Sequence, residues 1–294
     1  MKLNPRKVKE ACWGYLFIAP LVVGLALFLL YPLISAIVFS FCNYNLFTSP
    51  ELIGWGNYAQ AFSDEVFWKS FVNILYYLVS VPISIFLSLI LAALMSGDLK
   101  GSSAYRIIFY IPMVCSSIAV TFIWKWIYAP YYGLLDSLFA SLGLTAPLWL
   151  DNVRFIPSMI VIAVWGGIGG NVLLYTPTMR NVSRSQYEAA TLDGANWWQT
   201  FFHITFPAIS PITFYLLITS SVGTLQEFTR FRVMSGGVFS ESTIVPVWYI
   251  YMYTGEYGYQ FGYASALGLL YGIILIAFVV LNFIAQKWWV KYDY

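Results

Sequence analysis

The sequence predicts an all-α polytopic membrane protein, and three observations carry that prediction. Of its 294 residues, 60% are hydrophobic and only 10% are charged, against about 45–50% and about 25% in soluble domains. Mean hydropathy is +0.73. So few charges cannot wet the surface of a soluble fold of this size, and a disordered chain is polar rather than apolar. Second, six apolar runs reach the ~20 residues that a helix needs to cross a ~30 Å hydrocarbon core. Third, no run alternates apolar and polar at period two, which excludes barrel strands. In lipid the backbone must then be satisfied within helices.

The first run, Trp13–Phe41, follows Lys2, Arg6, Lys7 and Lys9. That basic start resembles a secretory signal, but the run exceeds a signal's apolar region and no Ala-x-Ala site follows, so it reads as a retained span. The others are Phe67–Met95, Ile107–Ala129, Phe155–Met179, Ala208–Phe228 and Phe261–Ala285. Pro32, Pro82, Pro112, Pro157, Pro177 and Pro211 fall inside spans. Each removes a backbone donor and can kink its helix, although proline is also simply commoner in membrane helices. Cys12, Cys42 and Cys115 lack the spacing of a metal or disulfide framework and read as packing residues.

Six spans put both termini on one side. With that side inside, the inner basic residues are Lys2, Arg6, Lys7, Lys9, Lys100, Arg106, Arg180, Arg184, Lys287 and Lys291. Lys69, Lys125, Arg154, Arg230 and Arg232 are left outside or near the outer ends. The excess of inner positive charge favours N-in, C-in. Lys125 reads as snorkelling to the outer surface. Residues 1–294 form a single transmembrane domain with no P-loop or other nucleotide site, so energy must enter from a partner or an ion gradient. The net charge of +2 implies no nucleic-acid partner.

The longest inner loop, Arg180–Pro207, carries most of the information. Ser185 with Glu188 three positions on predicts a capping box, and Tyr187–Leu192 predicts about two helical turns. Gly194 is suited to end them at positive φ. Trp197, Trp198, Phe201, Phe202, Ile204 and Phe206 give a second, amphipathic stretch, which Pro207 separates from the fifth span. His203 reads as a surface residue. The small Ala189 and Ala190 permit close approach of another protein, in a helix-in-groove mode.

The run E-A-A-T-L-D-G-A, with Ile204 and Pro207 further on, closely resembles the EAA loop of ABC-importer permeases. Glu188, Ala189, Ala190, Asp193, Gly194, Ala195, Ile204 and Pro207 match that pattern, and Phe206 replaces its usual Leu. Gly14–Pro20, Tyr31–Leu33, Ile123–Tyr128, Tyr132–Leu135, Met234–Gly237 and Tyr263–Leu267 are similar to carbohydrate-importer permeases, and to the maltose-type first subunit among them. The resemblance implies a type I (MetI-like) permease fold in a bacterial or archaeal cytoplasmic membrane. It implies ATPase coupling through Glu188, Ala189, Ala190, Asp193, Gly194 and Ala195. The implied partners are a second homologous permease, an ATPase dimer, an external solute-binding protein and a sugar. ATP and Mg would be bound by the ATPase, leaving this chain non-catalytic and without a cofactor.

Polar groups inside spans usually face the bundle interior. Val164–Asn171 reads V-W-G-G-I-G-G-N, where glycines allow close approach of a ligand or of another helix. Trp165 offers a stacking face and Asn171 an amide for hydroxyls. Ser220, Thr224 and Glu227 share a helical face. The resemblance puts sugar contacts at Trp165, Gly167, Gly170, Ser220, Gly223, Thr224 and Glu227, with Thr224 and Glu227 standing where the maltose permease has amides. Alternatives are a solute such as glycerol phosphate, which wants a basic cavity, or ion-coupled secondary transport, which wants intramembrane Asp, Glu or His relays and often inverted repeats. A lone histidine, with no triad or paired carboxylates, argues against a membrane enzyme.

Overall fold

The structure is a computed structural model and describes residues 5–96, 109–256 and 258–292. It divides into two compact units, Met1–Asp64 with Ile250–Gly272, and Glu65–Tyr249 with Ile273–Tyr294. The described residues are helical except for one two-stranded ribbon and loops. Five helical runs are long and apolar enough to cross a bilayer: Trp13–Ser40, Glu65–Ser96, Phe155–Arg180, Trp197–Leu225 and Phe261–Trp288.

In the first unit, α1 (Pro5–Leu25) and α2 (Tyr31–Ser40) are joined by a π turn at Ala26–Leu30. Pro32 lies at the start of α2. A proline ring clashes with the carbonyl four residues back and offers no N–H. The wider turn, in which the Tyr31 N–H bonds the Ala26 carbonyl five residues away, accommodates that ring without breaking the rod. Beyond α2, β1 (Cys42–Asn43) pairs antiparallel with β2 (Glu51–Leu52), and α3 (Gly56–Ser63) follows. Asn57 fastens this corner, donating from Nδ2 to the carbonyls of Ser40 (2.8 Å) and Cys42 (2.9 Å). The Tyr263 hydroxyl donates to Asp64 at 2.6 Å, tying in the last long helix, Phe261–Ala285.

The second unit is built on α4 (Glu65–Leu78), α5 (Ser80–Ser96) and two long partners. Val81, Ile85, Leu89, Ala92 and Met95 recur at helical spacing along α5. They pack against Val172, Tyr175 and Met179 of the long helix Phe155–Arg180, and against Ile209 and Leu216 of the helix Phe206–Leu225.

The expected third span, Ile107–Ala129, is not one helix. Residues 107–108 lie outside the described residues. Residues 109–114 are helical, the chain leaves helical geometry at Cys115–Ser116, and α6 (Ser117–Ile127) starts afresh. Ser116 has φ −56° and ψ 128°, and serine favours helix starts over interiors. Lys125 also departs from expectation. Instead of reaching for solvent it donates to the Val233 carbonyl at 2.9 Å, near the C-terminal end of the short helix Thr229–Met234, where a cation is favoured.

After α6 come α7 (Leu134–Ser141), α8 (Phe155–Arg180), α9 (Arg184–Leu192), α10 (Trp197–Thr200), α11 (Phe206–Leu225), α12 (Thr229–Met234), α13 (Pro246–Met252) and α14 (Phe261–Ala285). The 109–114 segment crosses α8 closely at Gly169, where any Cβ would overlap the Phe109 carbonyl oxygen. Backbone, unlike a side-chain tip, cannot swing away. Gly169→Val is therefore expected to cost at least about 3 kcal/mol, the upper range for overpacking. Gly166→Ala has open space around its Cβ and should leave the melting temperature of the purified protein unchanged or slightly raised. Equal melting temperatures for Gly169→Val and the parent would refute the close crossing.

Candidate functional site

Two constructions stand out, the loop between α8 and α11 and a polar cleft higher in the same unit. In the loop, α9 is capped two residues earlier than the expected Ser185. Ser183 occupies the N-cap position, without a side-chain capping bond, and its hydroxyl meets that of Ser185 at 2.7 Å. Glu188 is exposed and only loosely paired with Arg184 at 3.9 Å, so it closes no capping box. At the other end the expectation holds. Gly194 has φ +72°, its N–H bonds the Thr191 carbonyl (3.1 Å), and the Ala195 N–H bonds Ala190 (2.9 Å). That pair of bonds is a Schellman motif, which needs the left-handed residue glycine adopts freely.

The capping box belongs to the next helix. Asn196 Oδ1 accepts from the Gln199 N–H (2.9 Å) and Gln199 Oε1 from the Asn196 N–H (2.8 Å). It launches α10, which does not stop at Pro207. A π turn at Phe201–Thr205 carries α10 into α11, with the Phe206 N–H bonded to the Phe201 carbonyl. The expected separation at Pro207 is thus replaced by one helical run, Trp197–Leu225, the proline being absorbed as at Pro32. Stacked pairs Trp197–Phe201 (5.3 Å) and Trp198–Phe202 (6.1 Å) line one side of it. The Tyr187 hydroxyl bonds Thr205 Oγ1 at 2.9 Å and ties α9 to this rod. His203 is exposed, as expected, with Nδ1 2.9 Å from the Gln199 carbonyl. Glu188, Ala189, Asp193 and Gly194 are exposed at the loop's tip, and Ala190 and Ala195 are half-buried. Leu192, which periodicity alone did not single out, is 90% exposed there.

The cleft holds about 290 Å³ and is lined by Tyr77, Ser80, Val81, Ser84, Ala163, Gly166, Gly167, Ser220, Gly223, Thr224, Glu227 and Arg230. It gathers five expected residues, Gly167, Ser220, Gly223, Thr224 and Glu227. It leaves out three. Trp165 stands edge-on to Trp124 at 5.6 Å. A Cβ at Gly170 would meet the Met113 sulfur. Asn171 is buried, with Nδ2 3.3 Å from Ser84 Oγ, so it touches the lining from behind. Tyr77, Ser80, Ser84 and Arg230 complete the wall. The four-residue spacing Ser80–Ser84–Ser88 along α5 is the sequence signal that would have found the serines. At the rim Glu227 Oε1 accepts from the N–H groups of Phe228 (3.2 Å) and Arg230 (3.1 Å), and Oε2 lies 3.4 Å from Arg230 Nε. Arg230 also donates to the Tyr77 hydroxyl and to Ser117 Oγ (3.4 Å). Burial opposes its charge, but the Tyr77 and Glu227 oxygens outweigh that and hold its pKa above the usual value.

Residues 69–291 match the model of the binding-protein-dependent transport system inner membrane component. The chain belongs to that family. Among curated relatives, the lactose transport permease LacF of Rhizobium radiobacter is 31% identical, over 92% of each chain. The arabinooligosaccharide permease AraP of Bacillus subtilis is 30% identical over 93% of this chain and 87% of its own. A crystallised bacterial alginate ABC transporter, in complex with an alginate-loaded periplasmic protein, matches with TM-score 0.78 at 22% identity over 96% of each chain. At that identity the likeness is one of fold. This ABC permease is therefore an integral membrane protein of the type I architecture.

Removing the box at Asn196 should be felt locally. Asn196→Ala is expected to cost about 1 kcal/mol and to speed hydrogen exchange at the Trp198–Thr200 amides. Ser183→Ala, which loses no capping bond, should leave exchange in α9 unchanged. A larger effect of Ser183→Ala than of Asn196→Ala would contradict the reassigned cap.

Proposed function

We propose that this permease is half of the membrane pathway of an ATP-driven importer for a sugar or oligosaccharide. It pairs with a second homologous permease, and an ATPase dimer and an external binding protein complete the machine. The chain itself is non-catalytic, and ATP and Mg belong to the ATPase. Six spans with both ends inside are favoured by the bias of lysine and arginine, the 109–127 stretch serving as a span that is helical in two pieces. On this reading the membrane is the cytoplasmic one of a bacterium or archaeon.

The observation that carries the reading is the unbroken helical run from the loop tip's neighbour, Trp197, to the cleft residues Ser220, Gly223 and Thr224. Glu188, Ala189, Ala190, Asp193, Gly194 and Ala195 form a compact tip that suits docking in a groove of the ATPase, and the exposed Leu192 adds apolar contact. Closure of the ATPase dimer would displace the tip. Because α9 is tied to the rod through Tyr187 and Thr205, the displacement reaches α11 as rigid-body motion rather than being lost in a loose loop. The cleft at the other end then exchanges inward for outward access. Gly167, Ser220, Gly223, Thr224 and Glu227 are its substrate-facing residues. Trp165, Gly170 and Asn171 support the pathway from beside the cleft.

Glu188→Lys reverses the charge at the docking tip, and Gly194→Asp puts a side chain where φ is +72°. Each is expected to abolish uptake and binding-protein-stimulated ATPase activity while leaving the permease in the membrane. Full uptake and stimulation in both variants would refute the coupling role.

A further inference from the structure

The cleft's two charged lining residues, Glu227 and Arg230, are opposite in sign and already engaged with each other. We infer that Glu227 is a specificity residue that locks Arg230 and sets this cleft for uncharged saccharides, excluding uronates and sugar phosphates. The inference rests on the cleft being the substrate path. It goes further in fixing the ligand's charge.

The geometry of Glu227 makes it a fixed counter-ion. Its Oε1 is held by two backbone N–H groups, at 3.2 Å and 3.1 Å, so the carboxylate cannot swing off to release the guanidinium. Its Oε2 faces Arg230 Nε at 3.4 Å, and both side chains are mostly buried, at 27% exposure for Arg230 and 16% for Glu227. Ser117 Oγ shares the same Nε–H at 3.4 Å, and the Tyr77 hydroxyl accepts a further bond from the guanidinium. A substrate carboxylate or phosphate entering the cleft would lose water, meet the Glu227 carboxylate as a like charge, and find Arg230, the one cation among the described lining residues, already paired with it. Like charges juxtaposed in partly buried surroundings are strongly disfavoured. The remaining polar wall consists of hydroxyls at Ser80, Ser84, Ser220 and Thr224, which pair readily with the hydroxyls of a neutral sugar.

The test uses the complete purified transporter in lipid nanodiscs. Phenylglyoxal modifies accessible arginines, and peptide mass spectrometry reads the adduct at Arg230. Sodium glucuronate is the anionic probe and glucose, at matched ionic strength, the neutral one. In the parent protein glucuronate should protect Arg230 no more than glucose does. In Glu227→Gln the amide oxygen still accepts the two backbone N–H groups, but the guanidinium is unlocked. Glucuronate should then lower labelling by about tenfold, the scale of exposing a partly buried charge, and glucose should not. Glu227→Asp, which keeps the charge, should behave as the parent. Protection by glucuronate beyond that by glucose in the parent would overturn the inference without any variant. So would the absence of glucuronate protection in Glu227→Gln complexes that remain assembled. Uptake measured on the same complex keeps the two readings apart. A parent complex that moves no sugar, yet shows the expected labelling, counts against the function alone. One that moves sugar, yet lets glucuronate protect Arg230 more than glucose does, counts against the charge lock alone.

Discussion

A backbone amide in hydrocarbon has only its own helix to bond to, and an unmet group there costs several kcal/mol. This one constraint turns a chain with 60% hydrophobic residues into long helices. It also explains how the chain handles two of its prolines. Pro32 and Pro207 each sit at the start of a helix directly after a π turn, at Ala26–Leu30 and Phe201–Thr205. In both places an N–H reaches a carbonyl five residues back, so the ring is housed and the helix runs on. Where the ladder does stop, at Cys115–Ser116, the following helix restarts at a serine. The interruptions are local and chemically specific, and the rods between them keep their length.

On the proposed function the consequence is mechanical. Were Pro207 to break the chain, the loop tip and the cleft would be joined by a flexible hinge, and displacement of one would not reach the other. Housed in a π turn, it leaves α10 and α11 in one run, with α9 fastened alongside by the Tyr187–Thr205 bond at 2.9 Å. The Schellman turn at Gly194 and the Asn196–Gln199 box hold the corner between α9 and α10 with backbone and side-chain bonds rather than apolar burial. That suits the proposed role of the tip, whose surface would stay free for a partner. The core of α5 against α8 and α11 supplies the fixed frame in which the rod's far end meets the cleft.

Much of this was legible from residues. Because lipid imposes the same length on every span, apolar runs of sufficient length located the five long helices to within a few residues, except that one begins at Trp197, well before the expected Ala208. Gly194 announced its helix end, since few other residues take φ +72° cheaply. Ser220 and Thr224 reached the cleft because one helix carries both, whereas Glu227 lies past that helix's end at Leu225 and does not continue their helical face as expected. What failed depended on several elements at once. Ser185 and Asn196 both precede capping partners by three residues, and only the chain's path chooses the second. The glycines of Val164–Asn171 share one helix but divide by neighbour, Gly166 and Gly167 facing the cleft and Gly169 meeting the Phe109 backbone. Tyr77, Ser84 and Arg230 come from separate segments, and no spacing in the chain brings them together.

The central claim is that the tip of the 180–207 loop meets the ATPase on the inner side of the membrane. Cross-linking tests it most directly. Ala190 is replaced by cysteine in a chain whose Cys12, Cys42 and Cys115 are changed to serine, and the assembled transporter is treated with a membrane-permeant maleimide–benzophenone and irradiated, so that the thiol anchors one end and a nearby C–H bond of the neighbouring subunit takes the other. The account predicts a single new product of the permease joined to its ATPase, formed inside intact cells and insensitive to a membrane-impermeant maleimide added outside. Labelling of position 190 from outside, or no ATPase adduct in an assembled and active complex, would contradict it.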